Sequence, residues 1–242
     1  MIKKLALLAL GFFDFLYQRK IIQFLKKKNL TKFDIFFDVG GHKGESIDLF
    51  LSNFTIKKII SFEASPINFK FLEKNREHYL KKFIKTEIVT ENIALGSENK
   101  DMIFRHFGES SSSTFNNINE ESSYFKRKFK LLNFLSKKKL YETIKVKIET
   151  LYDYMESNNL NKISFLKIDT EGYEYEILKG LKKKINYVDT IMFEHHYDNM
   201  IIKNYTFTDI NFFLKINNFK QIYKSKMPFR KTFEYIYKKR GL

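Results

Sequence analysis

The chain has 242 residues, 43% of them hydrophobic, and a formal net charge of +16 from 44 basic and 28 acidic side chains. Its length and apolar content suit one elaborated domain with a sizeable core, which excludes disorder as the dominant state. Two prolines and nine glycines exclude collagen-like and proline-rich architectures. The lack of cysteine excludes disulfides, thiol nucleophiles and cysteine-ligated metals, and it fits a reducing compartment such as the cytoplasm.

The positive charge comes mainly from lysine, because arginine occurs only at positions 19, 76, 105, 127, 230 and 240. Arginine is the residue that makes bidentate contacts to phosphates and bases. We therefore attribute the charge to coding bias and expect no specific nucleic-acid partner. Weak attraction to anionic membranes or acidic glycans stays open.

The N-terminus contains one candidate targeting segment, in which two lysines precede an apolar run from Leu5 to Phe13. The run is too short to span a membrane, and no small-residue cleavage site follows it. The apolar spacing continues through residues 21–28, which predicts an amphipathic helix over 1–30 ahead of a domain over 31–242. This helix either packs on the domain or on a second subunit of a homodimer, or lies peripherally on the inner membrane surface.

From residue 34 onward, short apolar strands alternate with amphipathic helices. Strands are predicted at 34–39, 58–63, 86–95, 163–169 and 187–195, helices at 45–53, 65–80, 173–184 and 207–217, and an antiparallel strand pair at 220–226 and 232–239. This alternation predicts an α/β fold with a Rossmann-like, doubly wound, mostly parallel sheet. Residues 108–142 break the pattern and are interpreted as a surface insertion or a substrate lid.

The first strand–helix junction reads DVGGHKGE, with Gly40 after the strand and Gly44 at the start of the helix. Such a junction brings backbone close to a ligand and presents helix N–H groups to an anion. The pattern is neither a P-loop nor G-x-G-x-x-G.

Carboxylates follow the predicted strands at their C-terminal ends. They are Asp38, Glu63, Asp169 with Glu171, and Glu194. Ligands of open α/β sheets bind at this edge, and an acidic edge favours a ligand that carries positive charge and a ribose diol. S-adenosylmethionine has both, whereas a dinucleotide pyrophosphate would be repelled by Asp38. We expect Glu63 to accept both ribose hydroxyls.

Five segments, in this order, resemble the FkbM-type methyltransferases, a class I S-adenosylmethionine-dependent family. They read DVGGHKGE, FEASPINF, ENIALG, IETLYDYM and LKIDTEGYEYEILKG, and the resemblance covers about residues 33–200. It implies a seven-stranded sheet with a reversed last strand, and methyl transfer to a hydroxyl, often of a glycan or natural product.

The resemblance also implies places for individual residues. Asp38 and Gly40 would lie at the methionine end of the cofactor, Glu63 at the ribose, Asn92 or the nearby backbone at the adenine, and Asp169 near the sulfonium. The acceptor, a small molecule or glycan, is not implied by the matched segments.

Methyl transfer to oxygen needs an aligned nucleophile and a group that takes its proton. Adjacent histidines on a strand point to opposite faces, so only one of His195 and His196 can face the site. We predict that His195 is the base, oriented by Glu194 or Asp169. The alternative is that one histidine packs under a helix and the other is exposed. No spacing indicates a dedicated metal site.

Three further residues are assigned from their surroundings. His42 in the glycine loop is expected to reach the ligand. Lys167 in a buried strand needs a carboxylate partner, for which we predict Glu194. Thr170 in DTEG (169–172) is expected to cap the following helix, with Glu171 partly structural.

Two other functions are left as alternatives. One is a non-catalytic scaffold whose basic, aromatic insertion binds an acidic partner. The other is an NAD-dependent sugar-modifying enzyme, which the acid beside the glycines and the missing G-x-G-x-x-G motif disfavour.

Overall fold

The computed structural model describes residues 2–107, 113–126 and 141–241, with side chains from Phe13 onward. Much of the predicted 108–142 insertion therefore lies outside the described residues. The helices are α1 (Ile2–Lys27), α2 (Glu45–Leu51), α3 (Pro66–Lys82), α4 (Leu151–Ser157), α5 (Glu174–Gly180) and α6 (Phe207–Ile216), with a 3-10 helix at Lys182–Tyr187. The strands are β1 (Lys32–Val39), β2 (Thr55–Phe62), β3 (Glu87–Glu91), β4 (Ala94–Gly96), β5 (Lys100–Phe107), β6 (Asn117–Ile118), β7 (Tyr141–Thr150), β8 (Ile163–Ile168), β9 (Val188–His196), β10 (Ile201–Ile202), β11 (Phe219–Lys226) and β12 (Thr232–Lys239).

The central sheet has seven strands in the order β11-β12-β9-β8-β1-β2-β3. Neighbouring strands are parallel except around β12, which runs antiparallel to both β9 and β11. Strand β8 is buried along its whole length, because helices and loops cover both faces of a doubly wound sheet. The predicted Rossmann-like sheet with a reversed last strand is confirmed.

A separate three-stranded sheet, β4-β7-β5, packs beside the central one. The prediction of a single strand over 86–95 is wrong, because β3 ends at Glu91 and the chain then leaves the central sheet. The side chain of Asn92 donates to the backbone carbonyl of Glu63 at 2.8 Å, and β4 pairs with β7 instead.

Helix starts are fixed by local capping. Pro66 is the first residue of α3, and the Ser65 side chain accepts a hydrogen bond from the Asn68 N–H, which satisfies a group that the first helical turn leaves unpaired. A reciprocal capping box joins Thr206 and Asp209 at the start of α6. Both signals are present in the sequence, and both helices were predicted.

Helix α1 packs its second half on the domain. Tyr17, Ile21, Ile22 and Leu25 are buried in the core cluster that also holds the β1 residue Phe36. The Tyr17 hydroxyl donates to the Ser225 carbonyl at 3.1 Å, which connects the helix to β11. No helix in the described part of the chain is long and apolar enough to cross a membrane.

Candidate functional site

A cavity of about 300 Å³ lies at the C-terminal ends of β1, β2, β8 and β9. Its walls come from the loops after these strands, from α1, from the turn between β11 and β12, and from Ser113 and Phe115 of the insertion. This is the edge at which open α/β sheets bind ligands, and the volume lies at the lower end of small-molecule sites.

The glycine loop after β1 brings the ends of β1 and β8 into contact. Gly40 has φ +86°, and a Cβ atom there would lie 1.9 Å from the backbone oxygen of Asp169. Gly44 also has positive φ, +96°, where it begins α2. Only glycine permits both the backbone angle and the contact at position 40.

The N–H groups of this loop are used within the protein. Those of Gly40 and Gly41 both donate to the Phe62 carbonyl at 2.9 Å, and that of Lys43 donates to Glu45. The prediction that this junction presents its N–H groups to an anion is therefore wrong for residues 40–43, because the loop is tied to β2 and to its own helix.

Glu63, the residue after β2, lies at the cavity wall and is 5% exposed. Its two carboxylate oxygens accept hydrogen bonds from the backbone N–H groups of Ser65 and His42, both at 2.8 Å. Burial raises the pKa of Glu63 to about 7 even though these hydrogen bonds lower it. The Asn68 side chain also forms a hydrogen bond to this carboxylate. A carboxylate has about four lone-pair positions, so acceptor capacity remains for a ligand hydroxyl. His42 also lines the cavity, as predicted, and its Nδ1 lies 3.1 Å from Glu45.

Asp38, the residue before the glycine loop, lies beneath the cavity. It is fully buried, accepts from the Ser61 hydroxyl at 2.9 Å and lies 3.2 Å from Lys167 Nζ. Lys167 Nζ also lies 3.4 Å from Asp169. The predicted contact between Asp38 and the ligand is corrected, because the Lys167 side chain lies at the cavity wall where Asp38 was expected.

Lys167 takes its partners from β1 and from its own strand end. The prediction of Glu194 as its ion-pair partner is wrong, since the two salt bridges of Lys167 are with Asp38 and Asp169. Burial lowers the pKa of Lys167, but the charges of these two carboxylates outweigh it and hold the pKa above its ordinary value. Lys167 is therefore a buried cation that links the strand-end carboxylates.

Glu194 and Glu234 line the cavity from neighbouring strands. They are directly opposed in the β9–β12 register, so their side chains lie on the same face of the sheet. Glu234 is 4% exposed. Burial and the nearby Asp169 raise the pKa of Glu234 to about 8. Burial, Asp169 and Glu234 raise the pKa of Glu194 well above its ordinary value.

The DTEG loop after β8 is held by the buried carboxylate of Glu174. This carboxylate accepts hydrogen bonds from the Thr170 N–H at 3.2 Å, the Gly172 N–H at 3.0 Å and the Tyr205 hydroxyl at 2.6 Å. The predicted capping by Thr170 is wrong, because Glu174 itself accepts the loop N–H groups. Glu171 lines the cavity, and its carboxylate lies 3.3 Å from His196 Nε2.

The two adjacent histidines occupy opposite faces of β9, as predicted. However, His196 and not His195 lies on the face that carries Glu194. His195 is 3% exposed and packs against the rings of Tyr197, Tyr205 and Phe207. Burial lowers its pKa to about 3. The geometry therefore does not support His195 as the base, because its ring lies among aromatic side chains on the face away from Glu194.

His196 lies on the carboxylate side of β9. Its Nε2 is 3.3 Å from Glu171 and 3.8 Å from Glu194. Burial lowers the pKa of His196, but Glu171 and Asp198 outweigh this effect and raise it to about 9. A protonated imidazole among carboxylates donates hydrogen bonds and is unable to accept a proton.

The end of the cavity near Glu63 has an apolar wall, formed by Phe62, Ile93, Ala94, Leu95, Phe104 and Phe115. Asn92 stands behind this wall, with its side chain bound to the Glu63 carbonyl. Asn92 itself does not line the cavity, whereas its neighbours Ile93, Ala94 and Leu95 do and form an apolar slot beside Glu63.

The cavity combines an apolar wall with many acidic side chains. The carboxylate of Glu63 adjoins an apolar slot, and six further carboxylates line the same cavity: Asp14, Glu45, Asp169, Glu171, Glu194 and Glu234. Burial of so much negative charge is costly unless a cation partly balances it. Within the described residues, no group of His, Asp and Glu side chains is arranged to hold a metal ion.

Sequence reasoning missed Glu234 and the contributions of α1 and Arg230 to the cavity. Glu234 is the one acid in TFEYIYKK, where it stands between Phe233 and Tyr235. Nothing in the sequence indicated that Asp14 of α1 and Arg230 would form an ion pair, at 3.2 Å.

The Methyltransferase FkbM domain matches residues 38–221 of this chain. Among solved structures, Methyltransferase FkbM from Methylobacillus flagellatus KT is similar with a TM-score of 0.53 and 14% identity, over 85% of this chain and 44% of that one. This chain thus corresponds to less than half the length of that protein.

Magnesium protoporphyrin IX methyltransferase from Synechocystis PCC 6803, solved with bound S-adenosyl-homocysteine (SAH), is also similar. The TM-score is 0.53 and the identity 8%, over 95% of this chain and 84% of that one. No curated protein matches the chain. The structural likenesses show a shared fold, and the domain match covers most of the chain. The chain belongs to the FkbM family of S-adenosylmethionine-dependent methyltransferases.

Proposed function

We propose that this protein transfers a methyl group from S-adenosylmethionine to a hydroxyl of a sugar, a glycoconjugate or a related small molecule. The observation that carries the proposal is that Glu63 and Asp169, which follow different strands, line one cavity with an apolar slot. When bound, S-adenosylmethionine supplies an electrophilic methyl group on a positively charged sulfur.

In this proposal, Glu63 holds the ribose. The N–H groups of His42 and Ser65 fix both of its oxygens, so the direction of the remaining lone pairs is set before the ligand arrives. Because the Glu63 carboxylate is already oriented, little conformational entropy is lost when the ligand binds. The apolar residues Ile93, Ala94 and Leu95 would cover the base.

The carboxylates at the other end of the cavity are placed to serve the reaction. Glu194, or Glu234 opposite it, would take the proton of the acceptor hydroxyl as that oxygen forms its bond to the methyl carbon. A base is most effective when its pKa lies near the working pH, and burial raises the pKa of Glu234 to about 8. This pair of carboxylates therefore replaces His195 as the candidate base.

The same carboxylates restrict the class of acceptor. Asp169 and Glu171 would disfavour an acceptor that carries a phosphate, whereas Asp169, Glu171 and Glu194 would accept hydrogen bonds from several hydroxyls. A neutral polyhydroxylated acceptor therefore suits the cavity, and a nucleic acid does not.

Equilibrium dialysis with S-adenosylmethionine tests the cofactor site on which the proposal rests. Glu63→Gln should weaken binding by about 10- to 100-fold, because it removes hydrogen bonds to a charged acceptor that are worth about 1.5–3 kcal/mol. Glu77→Gln on the exposed surface of α3 is the matched control and should bind like the wild type. Failure of the wild type to bind, or equal binding by Glu63→Gln, would overturn the proposal.

A further inference from the structure

The opening of the cavity is bounded by α1 and by the turn between β11 and β12. The lining residues Asp14, Gln18 and Arg230 are themselves partly exposed, so they mark an open side of the cavity. The ion pair between Asp14 and Arg230, at 3.2 Å, joins the two elements at this side.

Large apolar side chains on the same two elements are partly or largely exposed. Phe13, Phe15 and Leu16 of α1 are 38%, 53% and 36% exposed, and Phe229 in the turn is 75% exposed. The rings of Phe13 and Phe229 meet edge to face, with centroids 5.1 Å apart. The contact between Phe13 and Phe229 therefore joins the exposed apolar residues of the two elements, and we call these four residues the aromatic rim. Clustered exposure of this kind marks an interaction surface.

Exposed basic side chains flank the aromatic rim. Arg19 and Lys20 follow it on α1, and Lys226 and Lys231 stand on either side of the turn. The Arg19 guanidinium lies 5.6 Å from the centroid of the Phe15 ring. Aromatic and leucine side chains bordered by Lys and Arg are typical of surfaces that enter the interface of an anionic bilayer.

We propose that the aromatic rim and its flanking basic residues dock this protein on an anionic phospholipid bilayer, with the opening of the cavity facing the lipid. A second copy of the chain would bring the same positive charge, +16 per chain, to the contact. An acidic soluble protein would match the charge, but it would offer no hydrocarbon layer for the side chains of the aromatic rim to enter. The proposal does not depend on the proposed methyl transfer.

Co-sedimentation with vesicles tests the docking surface in the full chain. Vesicles made of equal parts phosphatidylcholine and phosphatidylglycerol should bind the wild type, and pure phosphatidylcholine vesicles should bind it far less. The double variant Phe15→Ser with Phe229→Ser should lose about tenfold or more in partitioning, because two exposed rings no longer enter the bilayer. Lys20→Gln with Lys226→Gln should lose about fivefold for each charge removed.

The matched control removes two rings of similar exposure from other faces. Phe71 on α3 is 49% exposed and Phe212 on α6 is 64% exposed, and their double Ser variant should partition like the wild type. The far-ultraviolet circular dichroism and the S-adenosylmethionine affinity of each variant report folding independently of lipid. The proposal is overturned if the wild type does not bind anionic vesicles or if both double Ser variants partition alike. It is also overturned if the Phe15→Ser, Phe229→Ser variant changes only the oligomeric state.

Discussion

Glu194 and Glu234 face each other directly across the antiparallel strands β9 and β12, and both line the cavity. Two carboxylates in such a pair are costly to ionise together, because each raises the pKa of the other. Lys167 supplies positive charge nearby, but its ion pairs are with Asp38 and Asp169. The opposed pair therefore keeps a proton at a pH where an exposed carboxyl has lost it.

Replacing Glu234 by Gln should make the stability of the fold less dependent on pH. In the folded state burial and Asp169 raise the pKa of Glu234 to about 8, whereas an unfolded glutamate has a pKa of about 4.3. The folded wild type therefore holds more protons between these values, and its stability falls as the pH rises, by up to about 1.4 kcal/mol per pH unit for one proton.

Urea unfolding at about pH 5 and about pH 8 measures this slope. Glu234→Gln should show a smaller loss between the two conditions than the wild type. Glu87→Gln, on the exposed side of β3, is the control and should keep the wild-type slope. Equal slopes for all three proteins would show that Glu234 titrates normally.

Glu63 should make cofactor binding depend on pH. Burial raises the pKa of Glu63 to about 7, and only its ionised form offers both oxygens as acceptors. Affinity for SAH should therefore rise as the pH increases through about 7. Calorimetric titration of SAH, which lacks the sulfonium charge, isolates this effect. A Glu63→Gln variant with the wild-type pH profile would contradict it.

Lys167→Met should destabilise the protein by about 3–5 kcal/mol, since it leaves Asp38 and Asp169 without their buried cation. Lys184→Met is a matched control, because the Lys184 side chain is equally exposed, at 10%, yet its partner Glu156 is 51% exposed. A solvated partner loses little when its cation is removed. Chemical denaturation of both variants measures the difference, and equal losses would refute the role assigned to Lys167.

Gly40→Ala should be far more destabilising than the same change at other glycines with positive φ. A Cβ at Gly40 would overlap the Asp169 carbonyl at 1.9 Å, whereas one at Gly44 would meet the Tyr79 ring at 2.8 Å, and one at Gly241 would meet nothing within 4 Å. Gly40 and Gly241 share φ +86°, so their comparison separates overlap from backbone strain of about 1–2 kcal/mol. Thermal unfolding should rank the losses Gly40, Gly44, Gly241, and a different order would contradict the loop geometry.

The pKa values of the two adjacent histidines should be shifted in opposite directions. Burial lowers the pKa of His195 to about 3, whereas Glu171 and Asp198 overcome the burial of His196 and raise its pKa to about 9. Heteronuclear NMR of the imidazole rings should show His195 neutral and His196 protonated at neutral pH. A neutral His196 ring at neutral pH would contradict the placement of the two side chains on the faces of β9.

The sequence predicted the fold well because strand burial and helix capping are local signals. Continuous apolar runs identified β1, β2, β8 and β9, and Ser65 with Pro66 identified the start of α3. The break between β3 and β4 was missed, since it depends on a hydrogen bond from Asn92 to Glu63, 29 residues away.

The site was predicted in part, for a physical reason. Glu63 and Asp169 were found because strand-end position alone places a residue at the cavity. Asp38 shares that position, yet a long side chain from β8, Lys167, covers it. Glu234 was missed because its place depends on the register between β9 and β12, and the sequence of a hairpin does not reveal which neighbour the hairpin pairs with.

The most direct test of the account is a crystal structure of this protein with SAH. We expect both ribose hydroxyls within about 2.6–3.2 Å of the Glu63 carboxylate, with the purine between Ile93 and Leu95 and the sulfur toward Asp169 and Glu194. A ribose bound away from Glu63, or SAH bound outside the cavity, would contradict it.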